Sequence, residues 1–279
     1  MPPGAIRPWA AILCGGAGKR LRKVLRGRPK PMAPVAGVPF LDFLIAHLLK
    51  YGIRDIVLCT GYKSGVIEKH YRRGIPGARI AISREEKPLG TAGALKHAAA
   101  RIKSDPFFVL NGDSICAADL RRLLRFHLKK KALASVVLTK AAGRSDVGSV
   151  LTDRAGLVVK FSEKSGRCAY VNAGIYLLDK KVLAFIPKRR AFSLEYELFP
   201  KLKNCYGFKS RADLLDIGVP ERYKTAQQVL NLKTPPGHPA DLPLKQLAKY
   251  GQTKRGSHEI SIRHHNDNAQ DKKTGQHDP

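Results

Sequence analysis

Apolar and polar positions alternate along the chain in short blocks. Ala10 to Cys14 is an unbroken apolar run of strand length, and Phe40 to Tyr51 carries Phe40, Leu41, Phe43, Leu44 and Leu48 at helical spacing until Gly52 stops it. A second strand follows in Ile53 to Cys59, a second helix in Gly65 to Arg73 and a third strand in Ala78 to Ser83. Continuously apolar strands have no wet face, so helices must cover both sides of the sheet that they form. The order predicts an α/β fold, a doubly wound, mostly parallel sheet with helices on both faces.

The same reading continues with a helix from Gly93 to Ile102, a strand from Asp105 to Leu110, a helix from Leu120 to Lys131 and a strand from Ala134 to Thr139. Ser149 to Leu151 and Val158 to Phe161 form a small hairpin insertion, and Val171 to Leu178 is a further strand. A helix is expected from Ser193 to Leu202, begun by Ser193-Leu194-Glu195-Tyr196, and Pro220 starts the last helix, Glu221 to Leu232. Beyond it the periodicity fades into prolines and five of the nine histidines. One domain over 1–232 and a basic, largely disordered tail over 233–279 are therefore expected.

Composition narrows the class. Of 279 residues, 43% are hydrophobic and 26% charged, values of a soluble globular chain. No apolar run approaches the ~18 residues that span a bilayer, so no membrane segment and a cytoplasmic location are expected. Five cysteines, odd in number and without a C-x-x-C pair, read as reduced thiols.

The net charge of +29 changes the picture more. Residues 231–279 hold eight Lys/Arg and five Asp/Glu, a net of +3, which leaves +26 on residues 1–230. The folded part is itself basic and favours anionic ligands, with nucleic acid bound only non-specifically and in a salt-sensitive way. Runs such as Lys129-Lys130-Lys131 read as a solvated face.

In doubly wound sheets, ligands lie at the carboxyl ends of the strands. After the first strand comes Leu13-Cys14-Gly15-Gly16-Ala17-Gly18-Lys19-Arg20-Leu21-Arg22, then Arg28-Pro29-Lys30-Pro31. Glycines beside a cluster of cations describe a backbone turning sharply next to phosphate. After the third strand comes Glu85-Glu86-Lys87-Pro88-Leu89-Gly90-Thr91-Ala92-Gly93, and after the fourth Asn111-Gly112-Asp113-Ser114. Asp113 is placed either to hold a hard cation or to cap the next helix. Asp119 is nearer that helix and can take the capping role. Asp216 follows the short apolar run Leu214-Leu215 much as Asp113 follows its strand.

Taken in series, Cys14 to Arg22, Pro29-Lys30-Pro31-Met32, Pro88 to Gly93, Leu110 to Asp113, Glu163-Lys164, Asn172-Ala173-Gly174-Ile175-Tyr176 and Asp216 to Pro220 resemble the sugar-1-phosphate nucleotidylyltransferases. Within that family the run from Pro29 to Leu41 and the compact ending after Asp216 are similar to the D-glycero-D-manno-heptose 1-phosphate guanylyltransferases, with the mannose-1-phosphate enzymes as near relatives. The resemblance implies two substrates, a nucleoside triphosphate and a sugar 1-phosphate. A sugar phosphate oxygen would attack the α-phosphorus in line as pyrophosphate leaves.

It also implies roles. Leu13, Gly15, Gly16 and Gly18 would wrap the nucleotide, with Gly90 and Thr91 beside it. Lys19 and Arg20 would meet the leaving phosphates and Lys30 the α-phosphate. Asp113 and Asp216 would hold Mg²⁺, with Arg20, Lys30 and Asp113 as the catalytic set. Lys164 would bind the sugar's phosphate and Glu163 and Asn172 its hydroxyls, while Gly174 lets the backbone approach. Glu85 would face the base edge, where a carboxylate suits the paired N1–H and N2–H₂ donors of guanine and makes GTP the expected triphosphate. Lys19, Lys87 and Ser165 depart from residues usual in the family. Homo-oligomerisation is left open.

Overall fold

Along the central strands, side chains alternate between two apolar layers, and this alternation builds the molecule. The computed structural model describes residues 7–141, 148–162, 169–188 and 191–230. Among them run β1 (Ala10–Cys14), the two-residue strands β2 (Pro34–Val35) and β3 (Val38–Pro39), α1 (Phe40–Lys50), β4 (Asp55–Thr60), α2 (Ser64–Tyr71), β5 (Arg79–Arg84), α3 (Gly90–Ala98), β6 (Phe107–Asn111) and β7 (Ser114–Cys116). Then come α4 (Leu120–Lys130), β8 (Ala134–Lys140), β9 (Ser149–Thr152), β10 (Val158–Ser162), β11 (Tyr170–Leu178), β12 (Cys205–Lys209), β13 (Leu214–Asp216) and α5 (Pro220–Val229).

The main sheet has the order β10-β9-β11-β6-β1-β4-β5, with β8 on β11 and β12 on β8. Strands β6, β1, β4 and β5 are parallel, as the βαβαβ order requires, whereas β11 enters antiparallel between β6 and β8. On one face, Ala10, Ile12, Ile56, Leu58, Phe108 and Leu110 pack with Phe40 and Leu44 of α1 and Leu123 of α4. On the other, Ala11, Val57, Phe107, Val109 and Tyr176 pack with Ala92 and Leu95 of α3. Each large side chain so buried contributes ~1.5–3 kcal/mol, and Leu110→Ala would cost about 2–5 kcal/mol by adding a cavity.

The expected doubly wound sheet, helices on both faces and β9–β10 hairpin are present. Asp119 caps α4 as read, accepting from the backbone N–H of Arg121 at 2.9 Å and Arg122 at 3.0 Å. The helix expected over 193–202 is instead a π-helical turn, Leu194–Leu198, followed by a 3₁₀ turn, Phe199–Lys201. Leu198 N–H reaches back five residues to the Ser193 carbonyl, and Pro200, which lacks an N–H, prevents the turn from growing into an α-helix. The short ribbons β2–β3 and β7–β13 were invisible to periodicity because two or three residues carry no period. The tail, 233–279, lies outside the described residues.

Candidate active site

The carboxyl ends of β1, β4, β5 and β6 open into one cleft of about 920 Å³. Its lining includes Leu13, Gly15, Gly16 and Gly18 after β1, Lys30 beneath them, Glu85, Gly90 and Thr91 after β5, and Asp113 after β6. The loop following β4 adds Gly61 and Tyr62. In the sequence that loop shows only a lone glycine after an apolar strand, although the strand-end rule that points to the others covers it equally. Tyr62 N–H donates to the Gly15 carbonyl at 3.1 Å and ties the two loops together.

Glu85 sits where these loops meet. Its backbone N–H continues the β5 pairing by donating to Thr60 O at 2.8 Å, and its Oε2 accepts from Leu89 N–H at 3.2 Å. A Cβ on Gly15 would stand 2.5 Å from Glu85 Oε1 and one on Gly61 2.7 Å from the same atom. Both glycines are therefore the space that the carboxylate occupies. Burial pushes the Glu85 carboxyl above its usual range, against the lowering influences of the Leu89 N–H and His97.

Lys30 Nζ donates to Asp113 Oδ2 at 2.7 Å, across the mouth of β6. The β7–β13 ribbon then carries Asp216 to Asp113: Asp216 pairs with Ser114, and Ile217 N–H donates to the Asp113 carbonyl at 3.0 Å. Asp216 is held in turn, with Oδ1 accepting from Gly218 N–H at 2.9 Å and lying 2.8 Å from Arg222 Nε of α5. Two acidic residues, 113 and 216 in sequence, thus become neighbours along the backbone.

On the far side of β6 stands the bulge of β11, between Asn172 and Tyr176. Gly174 makes it, at φ +70°, and a side chain there would collide with Ser114 Oγ at 2.5 Å and Asn111 Nδ2 at 3.0 Å. Asn172 is fixed by both ends of its amide: Oδ1 accepts from Gly174 N–H at 2.9 Å and Nδ2 donates to the Tyr176 hydroxyl at 2.8 Å. Thr91 is engaged as well, its Oγ1 accepting from Leu194 N–H at 2.8 Å. Lys19 and Arg20 are exposed on the turn after the glycine loop and do not line the cleft. Glu163 and Lys164 lie outside the described residues.

The model of the nucleotidyl transferase family matches residues 9–231. The chain is 37% identical over 225 residues to D-glycero-alpha-D-manno-heptose 1-phosphate guanylyltransferase of Aneurinibacillus thermoaerophilus, covering 79% of this chain and 97% of that one. It is 37% identical over 222 residues to mannose-1-phosphate guanylyltransferase of Mycobacterium tuberculosis, covering 77% of this chain but 62% of the relative. The crystal structure of HddC from Yersinia pseudotuberculosis complexed with GMP-PN superposes with a TM-score of 0.72 at 32% identity, over 78% of this chain and 97% of that one. A glycine loop, the Glu85 carboxylate and Asp113 at the strand ends, with Asp216 on the ribbon beside Asp113, agree with that kinship, and the chain belongs to the nucleotidyl transferase family, as an enzyme of nucleotidyl transfer.

Proposed function

We propose that the enzyme joins GTP to D-glycero-D-manno-heptose 1-phosphate, releasing pyrophosphate. The observation that carries the choice of GTP is Glu85, a carboxylate wedged between Gly15 and Gly61 in the cleft. Ionised, it only accepts, so it matches guanine's adjacent N1–H and N2–H₂; uracil and thymine present one N–H between two carbonyl oxygens. For the sugar, support comes from two relatives named for heptose 1-phosphate, each 37% identical to this chain over 97% and 96% of its own length.

In the reaction an oxygen of the sugar's phosphate attacks the α-phosphorus, the bond from that phosphorus to the α,β-bridging oxygen breaks, and pyrophosphate departs with its electrons. Lys30 has three N–H donors and gives one to Asp113, which leaves two for the α-phosphate. The glycine loop sets its backbone against the triphosphate, while the roles of Lys19 and Arg20 on the leaving phosphates rest on their motif, since both side chains are exposed outside the cleft. Asn172 and Gly174 face the sugar. The roles of Glu163 and Lys164, on its hydroxyls and phosphate, rest on their motif alone.

Asp113 and Asp216 fit a Mg²⁺ ion. They are hard oxygen donors, brought side by side by the Ile217 N–H to Asp113 carbonyl bond and the pairing of Asp216 with Ser114, and phosphate oxygens and water would complete the shell of an ion held there. When bound, such an ion offsets charge on the phosphates and screens the two anionic substrates from each other.

Among the described residues no helix is long and apolar enough to cross a membrane. We place the enzyme in the cytoplasm, where GTP is available. The direct test supplies purified protein and Mg²⁺ with GTP, UTP, dTTP or ATP against heptose and mannose 1-phosphates, following pyrophosphate release. Highest kcat/KM for GTP with the heptose phosphate is expected. Preference for mannose 1-phosphate would move the enzyme to the other guanylyltransferase group, and preference for a pyrimidine triphosphate would overturn the reading of Glu85.

A further inference from the structure

Behind the site, one carboxylate gathers three hydroxyls. Glu195, on the π-helical turn, accepts from the Tyr176 hydroxyl at Oε1, 2.7 Å away, and from Thr91 Oγ1 at 3.2 Å and Ser193 Oγ at 3.1 Å at Oε2. A carboxylate can only accept, so all three protons point inward and each hydroxyl oxygen is left to accept from elsewhere. Thr91 Oγ1 accepts from Leu194 N–H, and Ser193 Oγ from Tyr196 N–H at 3.3 Å. The Tyr176 oxygen accepts from Asn172 Nδ2 at 2.8 Å, with Asn111 Nδ2 further off at 3.5 Å. Tyr176 is fully buried, and its phenol is pushed well above its usual pKa by that burial and by Glu195, so it keeps the proton that the arrangement needs.

The direction of these bonds settles the Asn172 amide. Because Tyr176 spends its proton on Glu195, it can meet Asn172 only as an acceptor, which turns Nδ2 toward the phenol and Oδ1 toward Gly174 N–H at the bulge. We propose that Glu195 is a positioning residue of the transfer reaction, fixing Asn172 and the Gly174 bulge for the sugar 1-phosphate through the Tyr176 hydroxyl. The proposal rests on the reading that Asn172 meets the sugar.

Glu195→Gln separates this role from simple packing. The amide keeps the shape but must donate at one end. With its oxygen toward Thr91 and Ser193 it satisfies two hydroxyls, and only Tyr176 has to reverse. Its proton then points at Asn172, whose amide must flip and give up Gly174 N–H. The damage falls on the sugar side and spares the nucleotide side.

The test measures both KM values in the wild-type enzyme, E195Q, N172A and E195Q/N172A, with Y176F as a second way to cut the relay. E195Q and Y176F should each raise KM for heptose 1-phosphate by ~10-fold and leave KM for GTP within about 2-fold, while E195Q adds nothing once Asn172 is Ala. Equal shifts for both substrates, no shift, or effects that multiply in the double variant would overturn the proposal while leaving the sugar reading intact. If N172A alone leaves the sugar's KM unchanged, the reading of Asn172 falls and takes the relay with it.

Discussion

Two parts of the site lie on either side of β6 and are built from different materials. At the ends of β1 and β4, the proposed nucleotide half is mostly backbone: Gly15 and Gly61 leave room for a single carboxylate, and Tyr62 N–H ties their loops together. Across β6, the proposed sugar half is a relay of side chains, Asn172, Tyr176 and Glu195, drawn from two separate segments, with Glu195 also accepting from Thr91 of the nucleotide half. A triphosphate presents repeating charge that main-chain N–H groups and a few cations can meet. A sugar presents hydroxyls whose direction must be read, and reading direction takes fixed amides and a polarised network.

The comparison breaks most visibly at Asp113 and Asp216, to which the proposed function gives a part in both halves. Asp113→Asn and Asp216→Asn keep shape but lose charge, and each should lower kcat by ~10³-fold or more with both KM values less affected. Turnover with Mg²⁺ checks this, and near-normal rates in a folded variant would remove the residue from the catalytic set. A smaller, one-sided effect is expected at Gly15→Ala. The added methyl would clash with the end of the Glu85 side chain, which can swing away, and would make only ordinary contact with Gly61 N, so the fold survives while the proposed base contact is displaced. KM for GTP should rise ~10-fold or more and KM for the sugar phosphate stay put; equal rises in both would show that the halves are not separable.

The smallest effect is a matter of pH. Burial raises the Glu85 carboxyl above its ordinary value, so the ionised form that accepts from guanine is lost at a higher pH than for an exposed glutamate. KM for GTP should be flat near neutrality and climb as pH falls through that raised value, at a higher pH than an exposed glutamate would give, and the climb should vanish in Glu85→Gln. A climb that persists in the variant would assign the titration to another group.

How much of this was legible in the sequence follows the same division. The glycine loop, Glu85 and Asp113 each directly follow an apolar strand, so strand periodicity located them, and the acidic partner Asp216 announced itself by a similar context. Gly61 and Tyr62 obeyed the same rule unnoticed, because a lone glycine after β4 looks like any turn. Glu195 could not be found in this way. It reads locally as part of a helix start, and its function exists only once Tyr176 and Thr91, 19 and 104 residues away, fold against it. Strand boundaries erred by a residue or two for a related reason: β5 ends at Arg84 because it pairs with Thr60, whatever its hydrophobicity.

The measurement that bears most directly on the account is base selectivity at Glu85. The kcat/KM for GTP relative to UTP, with heptose 1-phosphate held saturating, should favour GTP by ~10²-fold or more in the wild-type enzyme, and Glu85→Gln should reduce that ratio by at least ~10-fold, mostly through KM for GTP. A ratio left unchanged by the substitution would contradict the claim that this carboxylate chooses the nucleotide.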